Sequence, residues 1–132
     1  MIFIKFFLLL LFLELHLING YQGCYKVLGR LKCPTDMYRH RHVKVILMDK
    51  DYLPWETDDE MGSNITDCWG NFEVTGCGED FGGWNHPDPY LHITHRCPEK
   101  GHTVSIARRI KIIYLNQTHL PEIIYIDTAL LD

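Results

Sequence analysis

The sequence lacks an excess of positive charge. Its 132 residues contain 13 Lys plus Arg against 17 Asp plus Glu, which gives a formal net charge of −4. Nucleic-acid binding depends on a basic stripe, and attachment to an anionic membrane surface depends on a polybasic arm. The composition therefore disfavours both partner classes, although the local pair Arg108-Arg109 could contact one phosphate or carboxylate.

Motifs for catalysis and metal binding are also missing. The chain has no GxSxG nucleophile elbow, no CxxC pair and no EF-hand spacing. The acidic segment from Asp49 to Glu60 contains Pro54 and is typical of a solvated loop rather than of a calcium site. We therefore predict no cofactor and no catalytic residue.

Histidine, a common ligand of transition metals, is abundant, with eight in the chain. His40 and His42 would share one face of a strand and could hold zinc or copper, although surface histidines without a metal are commoner. His92 and His95 would point to opposite faces of a strand and cannot share a metal. We predict no metal site.

The only long apolar run lies at the N-terminus. Lys5 precedes the run from Phe6 to Leu13, and Asn19-Gly20 offers a small-residue cleavage position. Glu14 interrupts the run, which is shorter than the roughly 20 apolar residues of a membrane span. This pattern predicts a cleaved signal peptide over residues 1–20, followed by one domain over residues 21–132.

Two N-glycosylation sequons agree with export from the cell. Asn64 and Asn116 each begin an Asn-x-Thr triplet without proline at the middle position. We predict glycosylation at both sites, where glycans would keep sheet edges hydrated and hinder pairing between edges. Together with the leader, the sequons predict a secreted, extracellular protein.

Five cysteines follow the leader, in a compartment where disulfides form and persist. The odd number leaves at least one thiol unpaired within the chain, so that an intermolecular bridge or a free thiol follows. The five positions are Cys24, Cys33, Cys68, Cys77 and Cys97.

Apolar residues of the mature segment alternate with a period of two, which is typical of strands. Residues 27–33 and 43–47 each present one apolar face, and Gly70 suits the tight connection of a hairpin over Thr66–Phe72. Further strands are predicted at Tyr90–Cys97, Arg108–Leu115 and Glu122–Leu131, a short helix at Glu79–Phe81, and surface loops at Asp49–Asp59, Gly76–Gly83 and His86–Pro89. Six or seven short strands predict an all-β, two-sheet sandwich.

Four segments in this order resemble the nematode transthyretin-like family of secreted proteins. They are Val27-x-Gly29-x-Leu31-x-Cys33, Val43-x-Val45-x-Leu47-x-Asp49-x-Asp51, Thr66-Asp67-x-x-Gly70-x-Phe72-x-x-x-Gly76, and Pro89-Tyr90-Leu91-x-Ile93-x-His95-x-Cys97. The resemblance covers about 100 residues. It implies a transthyretin-like β-sandwich of about seven strands.

The resemblance also implies a disulfide between Cys33 and Cys97, with His95 in a structural place beside it. No cysteine follows Cys97, so the second disulfide often seen in the family is in doubt. If the strand between Cys68 and Cys77 is extended, these two lie too far apart to pair. The pairing of Cys24, Cys68 and Cys77 stays open.

Function is predicted to be binding rather than catalysis. Hydroxyisourate hydrolases share the fold but end in Tyr-Arg-Gly-Ser, whereas this chain ends Thr128-Ala129-Leu130-Leu131-Asp132. Trp55, Trp69 and Trp84 fall in predicted loops, where they would either contact a partner or cap the ends of the sandwich.

We therefore predict a secreted, non-enzymatic binding or signalling module. Its partner would be an extracellular or cell-surface protein, such as a receptor, or a surface lipid. One family member is understood to bridge dying cells to an engulfing receptor, a role that the resemblance offers. The alternative is a carrier of a small hydrophobic ligand in a transthyretin-like oligomer.

Overall fold

Residues 1–18, 21–51, 55–80, 88–102, 107–115 and 123–132 are described in the computed structural model of the chain. One helix precedes eight strands in these ranges. The elements are α1 (Ile2–Ile18), β1 (Tyr21–Lys32), β2 (Lys44–Asp49), β3 (Asp59–Ile65), β4 (Asn71–Asp80), β5 (Pro89–His95), β6 (Arg109–Tyr114), β7 (Ile123–Tyr125) and β8 (Ala129–Leu130).

Helix α1 coincides with the apolar leader. Its large side chains from Ile2 to Leu13 are exposed, and the buried core contains none of them. Within the described residues, no helix is both long enough and apolar enough to cross a membrane. The domain thus builds its core without the leader.

The strands form two sheets. In the first, β1 pairs antiparallel with β4 and parallel with both β7 and β8. In the second, the order is β3-β2-β5-β6 and every pair is antiparallel. The predicted all-β, two-sheet sandwich is confirmed.

The core lies between the sheets and comes mainly from alternate residues of β1, β2, β4 and β5. Each buried aliphatic side chain contributes about 1.5–3 kcal/mol relative to exposure. The apolar faces predicted for residues 27–33 and 43–47 are confirmed. The aliphatic side chains with no exposed surface are Val27, Leu31, Val45, Leu47, Leu91 and Ile93.

Two glycines let the sheets meet at one side of the sandwich. A Cβ atom on Gly62 of β3 would overlap the carbonyl oxygen of Thr75, and one on Gly76 of β4 would overlap that of Met61. Because these positions carry no side chain, the two edge strands approach backbone to backbone. The connection between β3 and β4 therefore carries the chain from one sheet to the other.

Three predictions of secondary structure were wrong. β3 was not predicted, because its sequence is polar, contains glycine and is mostly exposed. β4 continues to Asp80, where a loop from Gly76 and a short helix at Glu79 were expected, because Glu79 and Asp80 pair with β1. Phe81 lies outside the described residues.

The C-terminal strand candidate is two strands. β7 pairs with Lys26–Leu28, whereas β8 pairs with Leu31 and Lys32 farther along the same strand. Between them the Ile126 N–H donates to the Leu28 carbonyl at 2.8 Å. The C-terminal segment therefore follows β1 with a short interruption in its pairing.

Candidate functional site

Residues 67–70 form a tight turn between β3 and β4, at the place of the predicted hairpin, and we call this turn the hairpin tip. The Asp67 carboxylate accepts the N–H groups of Trp69 and Asn71, both at 2.9 Å. Although partial burial opposes its charge, these two N–H groups outweigh that effect and lower the pKa of Asp67. Gly70 has a φ of 83°, a conformation that favours glycine. The tight turn predicted at Gly70 is confirmed, and it is held by its own hydrogen bonds. The predicted hairpin is wrong, because β3 and β4 belong to different sheets and do not pair with each other.

A turn over residues 37–42 packs against this tip through Thr66. The Thr66 side chain is 2% exposed. Its hydroxyl donates to the His40 carbonyl at 2.7 Å and accepts the Val43 N–H at 2.9 Å. The His40 ring Nε2 lies 3.1 Å from the Cys68 carbonyl oxygen. The Thr66 hydroxyl and the His40 ring thus each link the turn over residues 37–42 to the segment that contains the hairpin tip.

This turn corrects the prediction for His40 and His42. The two residues do not share a strand face, because residues 37–42 form a turn and the two rings line separate grooves. In the part of the chain that the structure describes, no group of three or more His, Cys, Asp or Glu could hold a metal.

One of these grooves, which we call the hairpin groove, measures about 580 Å³. Trp69, Met37 and Leu130 line it with exposed apolar surface, and Trp69 is 66% exposed. Arg30 and Lys32 also line it, and the Arg30 Nε donates to the Trp69 carbonyl at 3.0 Å. The groove therefore combines an apolar floor with a cationic border.

The structure separates the predicted tryptophans. Trp55 is 76% exposed but precedes β3, whereas Trp69 follows it. The seven residues of β3 span roughly 23 Å, so the two rings lie toward opposite ends of the sandwich and do not form one patch. Trp84 lies outside the described residues.

Hydrogen bonds fix several carboxylates of the acidic segment from Asp49 to Glu60. Asp58 accepts the hydroxyl of Tyr90, the chief reason that the pKa of Asp58 is lowered, and it also accepts the Asp51 N–H at 3.0 Å. The pKa of Tyr90 is raised by burial and by this carboxylate. The Asp88 N–H donates to the buried Asp49 carboxylate at 2.8 Å. These carboxylates fix the loop rather than projecting freely.

The Cys33–Cys97 disulfide links the ends of β1 and β5, and we call it the inter-sheet disulfide. Its Cα atoms are 5.7 Å apart and both residues are buried. His95 lies beside it, where its Nδ1 accepts the Cys97 N–H at 3.0 Å. Burial lowers the pKa of His95, and the positive charges of Arg109 and Lys111 act in the same direction.

A second disulfide joins Cys24 to Cys77, which are directly opposite each other in β1 and β4 with Cα atoms 4.0 Å apart. Both of these residues are exposed, and so is the free Cys68 at the hairpin tip. Sequence reasoning missed this pair because β1 and β4 are not consecutive strands, so no local turn indicates their register.

The sequon at Asn64 lies on the edge strand β3. The exposed Asn64 side chain donates from Nδ2 to the Glu73 carbonyl of β4 at 2.8 Å. The third residue of the sequon is the buried Thr66. Asn116 lies outside the described residues. Glycosylation stays a prediction at both positions.

Comparison with known proteins agrees with this architecture. A 9R-lipoxygenase from Cyanothece PCC8801 is similar in structure, with a TM-score of 0.55 and 18% identity over 83% of this chain. This chain spans 16% of that lipoxygenase chain, so the likeness concerns the fold alone. No curated protein sequence matches significantly. The family model described as "TTR-52: Transthyretin-like family" matches residues 28–113. The chain therefore belongs to the transthyretin-like family.

Proposed function

We propose that this protein is a secreted, non-enzymatic module that binds an extracellular or cell-surface protein through the hairpin tip and the hairpin groove. The observation that carries the proposal is Trp69, an exposed aromatic side chain on a turn whose backbone is already fixed by Asp67. Tryptophans are common binding anchors, and a fixed backbone loses little entropy on binding.

Secretion is supported by three features that agree. The apolar leader has the composition of a signal peptide, and two disulfides form in the domain that follows it. Membership of the transthyretin-like family is in keeping with an extracellular protein. We propose that cleavage after Gly20 releases the domain.

The hairpin groove favours a protein partner that presents an apolar patch with an acidic rim. Its apolar residues Trp69, Met37 and Leu130 fit an apolar patch, and the cations Arg30 and Lys32 beside them fit an acidic rim. Protein interfaces combine an apolar centre with a polar rim in this way. The His40 Nε2 donates to the Cys68 carbonyl, and the remaining nitrogen, Nδ1, is buried, which disfavours use of this ring as a general base.

The test is capture on intact cells of the source with the secreted protein carrying a photo-cross-linker. Trp69→Ala should abolish enrichment of one surface protein, because a central tryptophan anchor contributes about 2 kcal/mol or more, or roughly 30-fold in affinity. Trp55→Ala is the matched control, since it removes an equally exposed tryptophan from the other end of β3. The same loss of affinity must appear with the purified partner. Equal capture by both variants would exclude the hairpin tip as the binding site.

A second candidate function, the carrier of a small hydrophobic ligand, rests on a different observation. Ile110, Ile112 and Tyr114 expose apolar side chains along β6, the last strand of its sheet within the described residues. A second copy covering this face would create an oligomer with an apolar interface. Light scattering at micromolar concentration tests it, and a monomer would exclude the carrier.

A further inference from the structure

The turn over residues 37–42 separates the hairpin groove from a second groove, which we call the basic groove. This groove measures about 530 Å³. The described residues that line it include no Asp or Glu. Five cations line it, in a protein whose formal net charge is −4: Arg39, Arg41, Lys44, Arg96 and Arg108.

Most of this positive charge is not neutralised by the protein. Arg39 lies 3.4 Å from the Asp36 carboxylate. Arg41 packs 5.0 Å from the centre of the Tyr38 ring, which holds the guanidinium in place without cancelling its charge. Among the described residues, Lys44, Arg96 and Arg108, like Arg41, form no ion pair.

The structure also separates the two arginines that were adjacent in the sequence. Arg109 donates to the Cys97 carbonyl at 3.0 Å and lies 3.4 Å from the Glu99 carboxylate. Arg109 therefore stabilises the segment next to the inter-sheet disulfide, whereas Arg108 lines the basic groove. Only one of the pair is available for an anion.

Crowded cations point to an anionic ligand. Like charges that are held close repel each other, and a bound anion turns that repulsion into attraction. Guanidinium groups match the oxygens of phosphate or sulfate with two parallel hydrogen bonds. His42 lines the same groove with a φ of 53°, a conformation that is uncommon for residues with a side chain.

We propose that the basic groove binds a multiply sulfated oligosaccharide of the cell surface or extracellular matrix. The five cations belong to three separate segments, at residues 39–44, 96 and 108, which together line the groove. This arrangement fits a row of anionic groups along a chain better than one isolated anion. The net negative charge elsewhere would confine the contact to this groove. Such a site goes beyond the protein-binding function proposed above.

The test is binding of a fluorescent heparin-derived hexasaccharide to the secreted protein, followed by anisotropy. Binding should weaken as sodium chloride is raised, because salt screens exposed charges. The double variant Arg96→Ser/Arg108→Ser should weaken binding by about 100-fold, at roughly tenfold for each lost charge-assisted contact. Arg96→Lys/Arg108→Lys should fall in between, because it keeps the charge but loses the planar fork.

The matched control removes two positive charges that lie outside the basic groove. Lys26→Ser/Lys100→Ser changes two lysines outside the basic groove and should leave hexasaccharide affinity unchanged. Unaltered melting temperatures show that the variants fold. The proposal fails if the wild type does not bind the hexasaccharide, if both serine double variants lose affinity equally, or if the protein binds only phosphatidylglycerol vesicles.

Discussion

Thr66 offers the sharpest test of how the hairpin tip is held against the neighbouring turn. Replacing it with valine keeps the shape of the side chain but removes the hydroxyl. The Val43 N–H and the His40 carbonyl would then lose their partner at 2.9 and 2.7 Å. Serine is the matched variant, because Thr66→Ser keeps the hydroxyl and removes one buried methyl group.

The two variants should differ in free energy of unfolding. Leaving a buried donor and a partly buried acceptor unsatisfied costs about 3 kcal/mol in total for Thr66→Val. Losing one buried methyl group costs about 1 kcal/mol for Thr66→Ser. For a domain of this size, roughly 4 °C per kcal/mol converts these costs into losses of about 12 and 4 °C in melting temperature.

The assay is thermal unfolding of oxidised protein without glycans, refolded after bacterial expression. Glycans must be absent, because valine also destroys the sequon at Asn64 whereas serine preserves it. Both disulfides should be verified by mass before melting. A loss of stability in Thr66→Val equal to or smaller than that in Thr66→Ser would refute the hydrogen-bonding argument.

Three further predictions concern a turn, a buried histidine and the disulfides. Gly70→Ala should lower the free energy of unfolding far more than Gly101→Ala. Both glycines have positive φ, but only at Gly70 does a carbonyl oxygen lie where the Cβ atom would be. Urea unfolding of both variants tests this prediction. Because burial lowers the pKa of His95, the unfolded chain binds a proton more readily than the folded chain, so the free energy of unfolding should fall as pH drops from about 7 to 5. His95→Asn should show a smaller fall in urea midpoint over this pH range. Equal falls in the two proteins would contradict this prediction. Mild reductant should open the exposed Cys24–Cys77 bridge before the buried inter-sheet disulfide, as read by alkylation and mass spectrometry, and the reverse order would contradict it.

The fold was largely predictable because burial alternates along most of its core strands. In β2, and from Leu91 onward in β5, every second side chain is buried, and this pattern is visible in the sequence. β3 was not predicted because an edge strand can be held by backbone pairing alone, so that its amino-acid composition gives little indication of a strand. Gly76 was predicted to begin a surface loop, whereas in the structure Gly62 and Gly76 permit close contact between strands.

The candidate site was only partly predictable, because it depends on distant residues. Trp69 was found from its place in a predicted tight turn beside Gly70, which is a local pattern. The basic groove was not found, since Arg41, Arg96 and Arg108 meet only after β2 and β5 pair in register. The sequence showed Arg108-Arg109 as a pair, and only the structure assigns the two arginines different roles.

The geometry around Asn64 has a consequence for the order of events during biosynthesis. In the folded domain the acceptor amide donates to the Glu73 carbonyl, and the hydroxyl of Thr66 is buried. A transferase that had to reach both groups would therefore compete with folding of this region, and a glycan on Asn64 would have to be attached before the domain folds. If the sequon is used, we expect conditions that delay folding to increase glycan occupancy at Asn64, and a faster-folding variant to carry less glycan there.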